Sequence, residues 1–190
     1  MTDASPKELG SLRTTLADRF PAAELSGGGG FAWVFKADDL KLKMCVAVKL
    51  LKPTSDETAV NKFVHESNVG SALGQVPFTI KQLDFMAFQP LSSLPSESKT
   101  RSCVWHEPPY CDARFCLVSE WCDGGSLKVE CDARSGDKPN PFPLDRVVKL
   151  MRCMATAVRG LHFKGYLHND IALRNFVLVS KGGDEVKLGD

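Results

Sequence analysis

Residues 166–178 read Tyr-Leu-His-Asn-Asp-Ile-Ala-Leu-Arg-Asn-Phe-Val-Leu, a short polar segment between two apolar ones. An apolar run with helical periodicity precedes it, and the β-prone run Phe176 to Val179 follows it. A loop held between two buried elements keeps its side chains in fixed positions. Asp170 and Asn175 could there orient a hydroxyl nucleophile and ligate a hard cation, respectively. Taken alone, the string is also compatible with an ordinary polar turn.

The apolar run before this loop predicts a helix from Leu144 to His162, which Gly165 would end. Its apolar side chains recur every three or four residues at Val147, Met151, Met154, Val158 and Leu161. We expect this stripe to face the core rather than a cofactor. After the loop, a glycine-containing turn leads to Glu185 to Leu188, which predicts the second arm of a hairpin.

Composition places the chain among globular proteins, with 25% charged and 43% apolar residues in 190. The net charge of +1 indicates neither nucleic acid nor an anionic membrane as a partner. No apolar run approaches the ~18 residues of a membrane-spanning helix. The first 25 residues lack the apolar region of a signal peptide. Seven cysteines without such a signal indicate reduced thiols in the cytosol or nucleus, and we expect a cytoplasmic location.

A run of four glycines, Gly27 to Gly30, lies near the start of the chain. Glycines let a backbone bend and bring its N–H groups close to phosphate oxygens. The glycines alone are equally compatible with a flexible linker. The β-prone residues from Phe31 to Phe35 follow at once, which favours a hairpin that covers an anion.

Lys49 lies within the apolar run Met44 to Leu51, which predicts a buried strand. A buried lysine needs an anionic partner. Glu66 is the candidate, because it falls on the edge of the apolar face of the next predicted helix, three residues after Phe63. The alternatives are an edge-strand lysine that points to water and a solvated glutamate.

Changes in composition divide the chain into three parts. Residues 1–21 form a leader without readable chemistry, and 22–120 form a first lobe that contains a Ser- and Pro-rich loop insertion at 90–113. The paired glycines at 124–125 mark a break, so we place the start of the second part, 121–190, just before them.

The order of these segments resembles a protein kinase domain over about residues 24–190. The matching motifs are Gly27-x-Gly29-x-x-Ala32-x-Val34, Val46-Ala47-Val48-Lys49, Glu66, Leu117 to Cys122, His168-x-Asp170 through Asn175, and Leu188-Gly189-Asp190. Each motif is weak alone, but their shared order is specific. The resemblance implies an α+β, two-lobed protein-kinase-like fold. The chain would hold a complete small β-rich lobe with one main helix, then the hinge and the first part of the helical large lobe.

The resemblance also implies how the chain would bind ATP and Mg²⁺. Backbone amides would cover the phosphates at Gly27, Gly28, Gly29, Gly30 and Phe31. Lys49, oriented by Glu66, would bind the α- and β-phosphate oxygens. Asn175 and Asp190 would hold Mg²⁺, while Asp170 would position or deprotonate the hydroxyl of a protein substrate.

The adenine base would contact residues from both parts of the chain, by the same resemblance. Val34, Ala47 and Val177 would enclose the ring. Glu120 and Cys122 would offer it backbone groups.

The class of acceptor is indicated by the residues after Asp170. Serine/threonine kinases usually carry a lysine two residues after this Asp, where the chain has Ala172. Arg174 resembles the arrangement of tyrosine kinases, and it could neutralise the γ-phosphate while Ala172 leaves room for a phenol. We therefore expect tyrosine rather than serine or threonine, although tyrosine-kinase-like serine/threonine enzymes share the string.

Two departures from the family pattern concern regulation and completeness. Asn169 replaces the arginine that receives an activation-loop phosphate, which argues against activation by phosphorylation but leaves the chemistry intact. The sequence stops at Asp190, before the activation segment. The alternative is therefore a non-catalytic nucleotide-binding or interaction fragment, similar to a pseudokinase. Its helix at 144–162 would expose apolar surface, for which we expect a protein partner.

Overall fold

The computed structural model describes residues 19–52, 56–88, 114–135 and 140–189. The insertion predicted at 90–113 and the predicted metal ligand Asp190 lie outside these ranges. So does the predicted leader, apart from its last three residues.

The described chain divides into two compact units. The first belongs to Met1–Asn68 and Gln82–Glu120, and the second to Val69–Lys81 and Trp121–Asp190. The lobe limits expected from the sequence, 22–120 and 121–190, stay a prediction.

Five antiparallel strands form the sheet of the first unit. They are β1 (Glu24–Gly28), β2 (Ala32–Asp39), β3 (Met44–Leu51), β4 (Gln82–Phe88) and β5 (Arg114–Glu120). Their spatial order is β1-β2-β3-β5-β4, so β3 is the central strand. Burial alternates along much of β2 and β3, so that the most buried large side chains of these strands share one face of the sheet.

The two faces of this sheet have different cores. One face carries the larger cluster, which contains Phe20, Trp33, Phe35, Val46, Val48, Leu50, Cys116 and Val118. Helix α1 (Glu57–Leu73) covers part of the other face, where its Phe63 packs with Leu51, Phe115 and Leu117. The helix thereby leaves the rest of that face for other contacts.

A largely buried ion network at the end of β2 connects it to β4. Asp39 is only 1% exposed, and its carboxylate accepts hydrogen bonds from the Arg19 guanidinium at 2.6–3.0 Å. Arg19 also donates to Asp84 of β4, at 2.6 Å. Burial alone would raise the pKa of Asp39, but the bonds from Arg19 and from the N–H groups of Leu42 and Lys41 outweigh it and lower that pKa. The same guanidinium, helped by Lys41, lowers the pKa of Asp84 against the opposing effect of burial.

The second unit is built from two helices and a short hairpin. They are α2 (Leu127–Arg134), α3 (Leu144–Phe163), β6 (Phe176–Leu178) and β7 (Val186–Leu188). The core combines residues from all four elements: Leu127, Leu150, Cys153, Ala157, Leu161, Phe176, Leu178, Val186 and Leu188, together with Val76. Val76 packs so closely on Gly160 of α3 that a Cβ there would lie 2.3 Å from its Cγ1 atom. Only glycine fits at that contact.

The buried face of α3 differs from the stripe expected from the sequence. Val147 and Met151 of that stripe are 36% and 57% exposed, so the expectation is wrong for these two residues. The buried side chains are those of Leu150, Cys153, Ala157 and Leu161 together with Arg146. The helix is apolar around much of its circumference, so several stripes fit the same period. Packing against β7 determines which of these stripes is buried.

Arg146 explains how a charged residue occupies that buried face. Its guanidinium donates to both carboxylate oxygens of Glu130, at 2.7 and 3.0 Å, and to the carbonyl oxygen of Gly183 at 2.8 Å. It thereby joins α3 to α2 and to the β6–β7 turn. These bonds also lower the pKa of Glu130, with Arg146 as the main cause.

Within the ranges that the structure describes, no helix combines the length and the apolar character that a bilayer crossing requires.

Candidate active site

Lys49 of β3 forms an ion pair with Glu66 of α1, with 2.7 Å between Nζ and Oε1. The two side chains are 19% and 35% exposed. Lys49 lies opposite Val34 of β2 and Leu117 of β5, so both neighbouring strands flank it. The alternative of an edge-strand lysine is therefore wrong, because β3 is central in the sheet. The alternative of a solvated Glu66 is also wrong, because its carboxylate pairs with Lys49.

Val34 and Ala47 share the face of the sheet on which Lys49 lies. Val34 is directly opposite Lys49, and Ala47 precedes it by two positions on β3. Both are half-buried, whereas Phe35 and Val48, which alternate with them, are buried in the larger core. This face therefore offers an apolar surface beside an ammonium group.

Gly27 and Gly28 end β1, and Gly29 and Gly30 begin the turn of the β1–β2 hairpin, where the N–H of Gly29 donates to the carbonyl oxygen of Ala32 at 3.0 Å. The described glycines with positive φ are Gly125, Gly165 and Gly182, so this turn does not depend on a left-handed glycine. A Cβ added at Gly27, Gly29 or Gly30 would meet no described atom within 4 Å. Packing within the described chain therefore does not require glycine at these positions.

Glu120 and Cys122, expected to contact adenine, lie on either side of the division between the two units. Glu120 is the last residue of β5 and pairs with Val46 of β3. Cys122 is 8% exposed in the second unit. Between them, the Trp121 indole N–H donates to Asp123 at 2.7 Å. The adenine-binding role of this segment stays a prediction.

The polar loop brings three of the predicted site residues into contact. A single 3-10 turn, Leu173–Asn175, follows the extended residue Ala172. The turn directs both Arg174 and Asn175 back to Asp170. Asn175 Nδ2 donates to the Asp170 backbone oxygen at 2.8 Å and to its carboxylate at 2.9 Å. Arg174 Nη2 donates to the other carboxylate oxygen at 2.5 Å.

These two donors lower the pKa of Asp170, with Asn175 as the main cause and Arg174 as the second. The carboxyl group is consequently ionised at neutral pH. An ionised Asp can accept a hydrogen bond from a hydroxyl, but it is a weak base. The electrostatics therefore suit orientation of an acceptor better than removal of its proton in the ground state.

The residues before Asp170 also have defined conformations. Asn169 adopts φ 61°, a left-handed conformation that Asn tolerates better than most residues. His168 Nε2 lies 2.9 Å from the carbonyl oxygen of Gly189, and the Gly189 N–H donates to the Asn175 backbone oxygen at 2.8 Å. Gly189 thus contacts His168 near the start of the loop and Asn175 at its end.

The Asn175 carboxamide is compatible with a magnesium ligand. Its nitrogen donates twice to Asp170, which fixes the plane of the amide and leaves the oxygen on the opposite edge. An amide oxygen is a ligand that Mg²⁺ accepts. Within the described ranges, no group of three or more His, Cys, Asp or Glu side chains could hold a metal ion. The second predicted ligand, Asp190, lies outside them.

The predicted site residues thus form two groups, one in each unit. The first contains Lys49, Glu66, Val34 and Ala47, with the glycine turn on the same sheet. The second contains Asp170, Arg174 and Asn175, with Val177 in the strand that follows directly.

Sequence reasoning did not identify Ser126, whose hydroxyl lies within hydrogen-bonding distance of the 3-10 turn. It also did not predict α2, which Ser126 caps. The available signal was a serine after two glycines and before a leucine, which is typical of a helix start but weak in isolation.

The profile of the protein kinase domain family matches residues 21–190. Serine/threonine-protein kinase pkn2 of Myxococcus xanthus is 26% identical over 178 residues, which cover 92% of this chain and 18% of the relative. Misshapen-like kinase 1 of Rattus norvegicus is 25% identical over 203 residues, which cover 100% and 13%. Serine/threonine-protein kinase D of Synechocystis sp. is 25% identical over 175 residues, which cover 88% and 28%. The chain spans between 13% and 28% of the length of these relatives.

The small antiparallel sheet with one main helix, followed by the start of a helical lobe, defines a partial two-lobed kinase fold. The family match extends over nearly the whole chain. The chain belongs to the protein kinase domain family.

Proposed function

We propose that the chain is the ATP-dependent catalytic part of a protein kinase, which transfers a phosphoryl group from Mg-ATP to a protein hydroxyl. The ion pair between Lys49 and Glu66 carries this proposal. A salt bridge with a purely structural role would need neither an apolar face nor a glycine turn in which packing does not require glycine. A lysine that binds a nucleotide phosphate needs the apolar face for the base and the glycine turn for the other phosphate contacts.

Lys49 supplies the positive charge that the α- and β-phosphate oxygens require. Glu66 holds the ammonium in one position, so that less side-chain entropy is lost when the nucleotide binds. Backbone N–H groups of the turn from Gly27 to Phe31 contact the phosphates, and Val34 and Ala47 contact the adenine ring. Glu120, Cys122 and Val177 complete the adenine contacts.

Asp170 orients the acceptor hydroxyl for attack on the γ-phosphate. Its carboxylate is held by Arg174 and Asn175, so its position is fixed before the substrate arrives. Arg174 would also neutralise charge on the transferred group. In the loose transition state of phosphoryl transfer, alignment and charge neutralisation supply most of the acceleration.

Asn175 and Asp190 hold Mg²⁺ through oxygen atoms in this proposal. When bound, the metal ion would neutralise the negative charge of the phosphates. The amide contacts to Asp170 keep the Asn175 oxygen in a constant direction.

The acceptor is a tyrosine on the strength of the small Ala172 and the placement of Arg174 against Asp170. A serine or threonine acceptor is the second candidate. It is favoured by two of the relatives, which are named as serine/threonine-protein kinases. Peptides that differ only in the acceptor residue separate the two.

We place the activity in the cytoplasm, with a protein as substrate and no nucleic acid partner. Cys116, Cys131 and Cys153 are free thiols, in keeping with a reducing compartment. The exposed apolar residues of α3, among them Val148 and Met151, would contact a protein partner.

Transfer of labelled phosphate from Mg-ATP to matched Tyr, Ser and Thr peptides tests the proposal. The wild-type chain is expected to label one class, and Asp170→Asn is expected to abolish the label. Asp184→Asn serves as the matched control, because Asp184 lies in the β6–β7 turn and pairs with Lys149. Equal label with wild type and Asp170→Asn, or none with either, would contradict the proposed catalysis. The second result would favour the non-catalytic alternative.

A further inference from the structure

The hydroxyl of Ser126 joins the start of α2 to the loop that carries Asp170. Its Oγ lies 3.3 Å from the carbonyl oxygen of Arg174 and 3.5 Å from that of Leu173. The same oxygen accepts a hydrogen bond from the N–H of Lys128, at 3.2 Å, and so caps the helix. A hydroxyl has one hydrogen to donate and lone pairs to accept, so it can make both contacts at once.

The acceptors of this hydroxyl belong to the 3-10 turn that holds Asp170. The carbonyl oxygen of Leu173 also accepts from the N–H of Phe176. Arg174 donates to Asp170 through its side chain, and its own carbonyl oxygen faces Ser126. A donor at the end of a turn limits how far the turn can rotate. Rotation here would displace the Arg174 side chain from Asp170.

The backbone on either side holds Ser126 in register with the strand after the turn. The N–H of Leu178 donates to the carbonyl oxygen of Gly125 at 2.8 Å, and the N–H of Gly124 donates to that of Leu178 at 3.0 Å. A Cβ at Gly124 would lie 2.3 Å from Leu178 Cβ. Residues 124–126 are therefore packed against β6 at a distance that admits no side chain at Gly124, and Ser126 pairs with Val177.

We propose that Ser126 is a positioning residue for phosphoryl transfer, which holds the turn at 173–175 so that Arg174 and Asn175 keep Asp170 in place. This inference rests on the proposed function for its effect on rate. The donated hydrogen bond performs the positioning, whereas the accepted one only caps α2.

Three substitutions separate these two hydrogen bonds. Ser126→Ala removes both, and Ser126→Thr keeps both. Ser126→Asp keeps the cap, because a carboxylate accepts from Lys128 N–H, but it has no hydrogen to donate to a carbonyl. Ser135→Ala is the matched control, since Ser135 ends the same helix and donates only to Cys131 within it.

Backbone and side-chain amide hydrogen exchange is the first readout, because it needs no activity. We expect exchange at the Asn175 side-chain amide and at the Asn175 N–H to be about 10-fold faster in Ser126→Ala and Ser126→Asp. Ser126→Thr and Ser135→Ala should match wild type. Exchange in α3, measured in the same spectra, should not change in any variant.

Steady-state kinetics is the second readout. Ser126→Ala and Ser126→Asp should lower kcat by about 5- to 20-fold with the KM for ATP unchanged, as expected when an oriented group is loosened. Wild-type exchange rates at Asn175 in both variants would overturn the proposal, as would a defect confined to Ser126→Ala. Absence of phosphoryl transfer in the wild-type chain would instead refute the proposed function, while the exchange result would still decide the positioning role.

Discussion

At the scale of single residues, backbone conformation constrains Asn169, whereas it does not constrain the glycines of the β1–β2 hairpin. Asn169 adopts φ 61° immediately before Asp170, so its identity is constrained by backbone conformation. The glycines at 27, 29 and 30 have free space around them in the described chain, so neither conformation nor packing accounts for them. A ligand that approaches the backbone, as proposed for the nucleotide phosphates, would account for them.

Asn169→Val should destabilise the loop, because a β-branched residue adopts a left-handed conformation only at a cost of about 1–2 kcal/mol. Asn169→Gly should be nearly neutral. Urea unfolding of both variants, together with kcat, provides the measurement. Equal stability of the valine and glycine variants would show that the left-handed conformation is not required.

Gly29→Ala should leave the melting temperature within about 2 °C of wild type, since alanine is compatible with an open position at negative φ. The same change should raise the KM for ATP by about 3- to 10-fold, because the methyl group would hold phosphate oxygens away from backbone N–H donors. Gly124→Ala is the contrast, since its Cβ would clash with Leu178 and stability should fall. An unchanged KM in Gly29→Ala would argue against phosphate binding at this turn.

At the scale of the elements, charged networks join segments that hydrophobic packing alone would leave free to slide. Arg19 joins the segment before β1 to the end of β2 and to β4. Arg146 joins α3 to α2 and to the β6–β7 turn. Both guanidiniums are largely buried. Removal of Arg19 leaves the buried carboxylate of Asp39 without its ion pair. Glu130, in contrast, would keep Arg134 if Arg146 were removed.

Arg19→Met should lower the free energy of unfolding at pH 7 by about 2–4 kcal/mol, because Asp39 would be left buried and unpaired. Arg19 lowers the pKa of Asp39 and Asp84, so its stabilisation is present above their unfolded pKa values and is lost as the pH falls through the folded ones. The difference between wild type and Arg19→Met should therefore narrow as the pH falls below about 4.

Urea titrations of both proteins from pH 7 to pH 3 measure this difference. Lys41→Met is the matched control, because Lys41 contacts Asp84 from an exposed position and should cost less than about 1 kcal/mol. A difference that stays constant with pH would contradict the assigned ion network.

The elements that the sequence predicted well are those with strong local signals. The apolar run around Lys49 predicted β3, and the periodic run from Leu144 predicted α3 to within one residue of its observed end at Phe163. The buried face of α3 was missed, because a helix that is apolar on most sides does not specify which side meets β7. Helix α2 was not predicted, because its eight residues are too few to show a recognisable helical period of apolar side chains.

At the scale of the whole molecule, the order of the motifs predicted the family before any contact was known. The ion pair between Lys49 and Glu66 joins residues 17 positions apart, and it followed from the resemblance and from the need of a buried lysine for an anion. The contact of Ser126 with Arg174 spans 48 positions and involves a backbone oxygen. No side-chain pattern in the sequence encodes such a bond.

Titration of Mg-ADP and adenosine into the chain by calorimetry, with wild type and Lys49→Met, tests the central claim most directly. Lys52→Met is the matched control, since its ammonium lies over the Trp33 ring at 5.6 Å. Loss of the charge-assisted phosphate contacts should weaken Mg-ADP binding by about 10- to 100-fold in Lys49→Met alone. Adenosine, which has no phosphate, should bind all three proteins equally. Equal Mg-ADP affinity in wild type and Lys49→Met, or no binding to wild type, would contradict the assignment of Lys49 to a nucleotide phosphate.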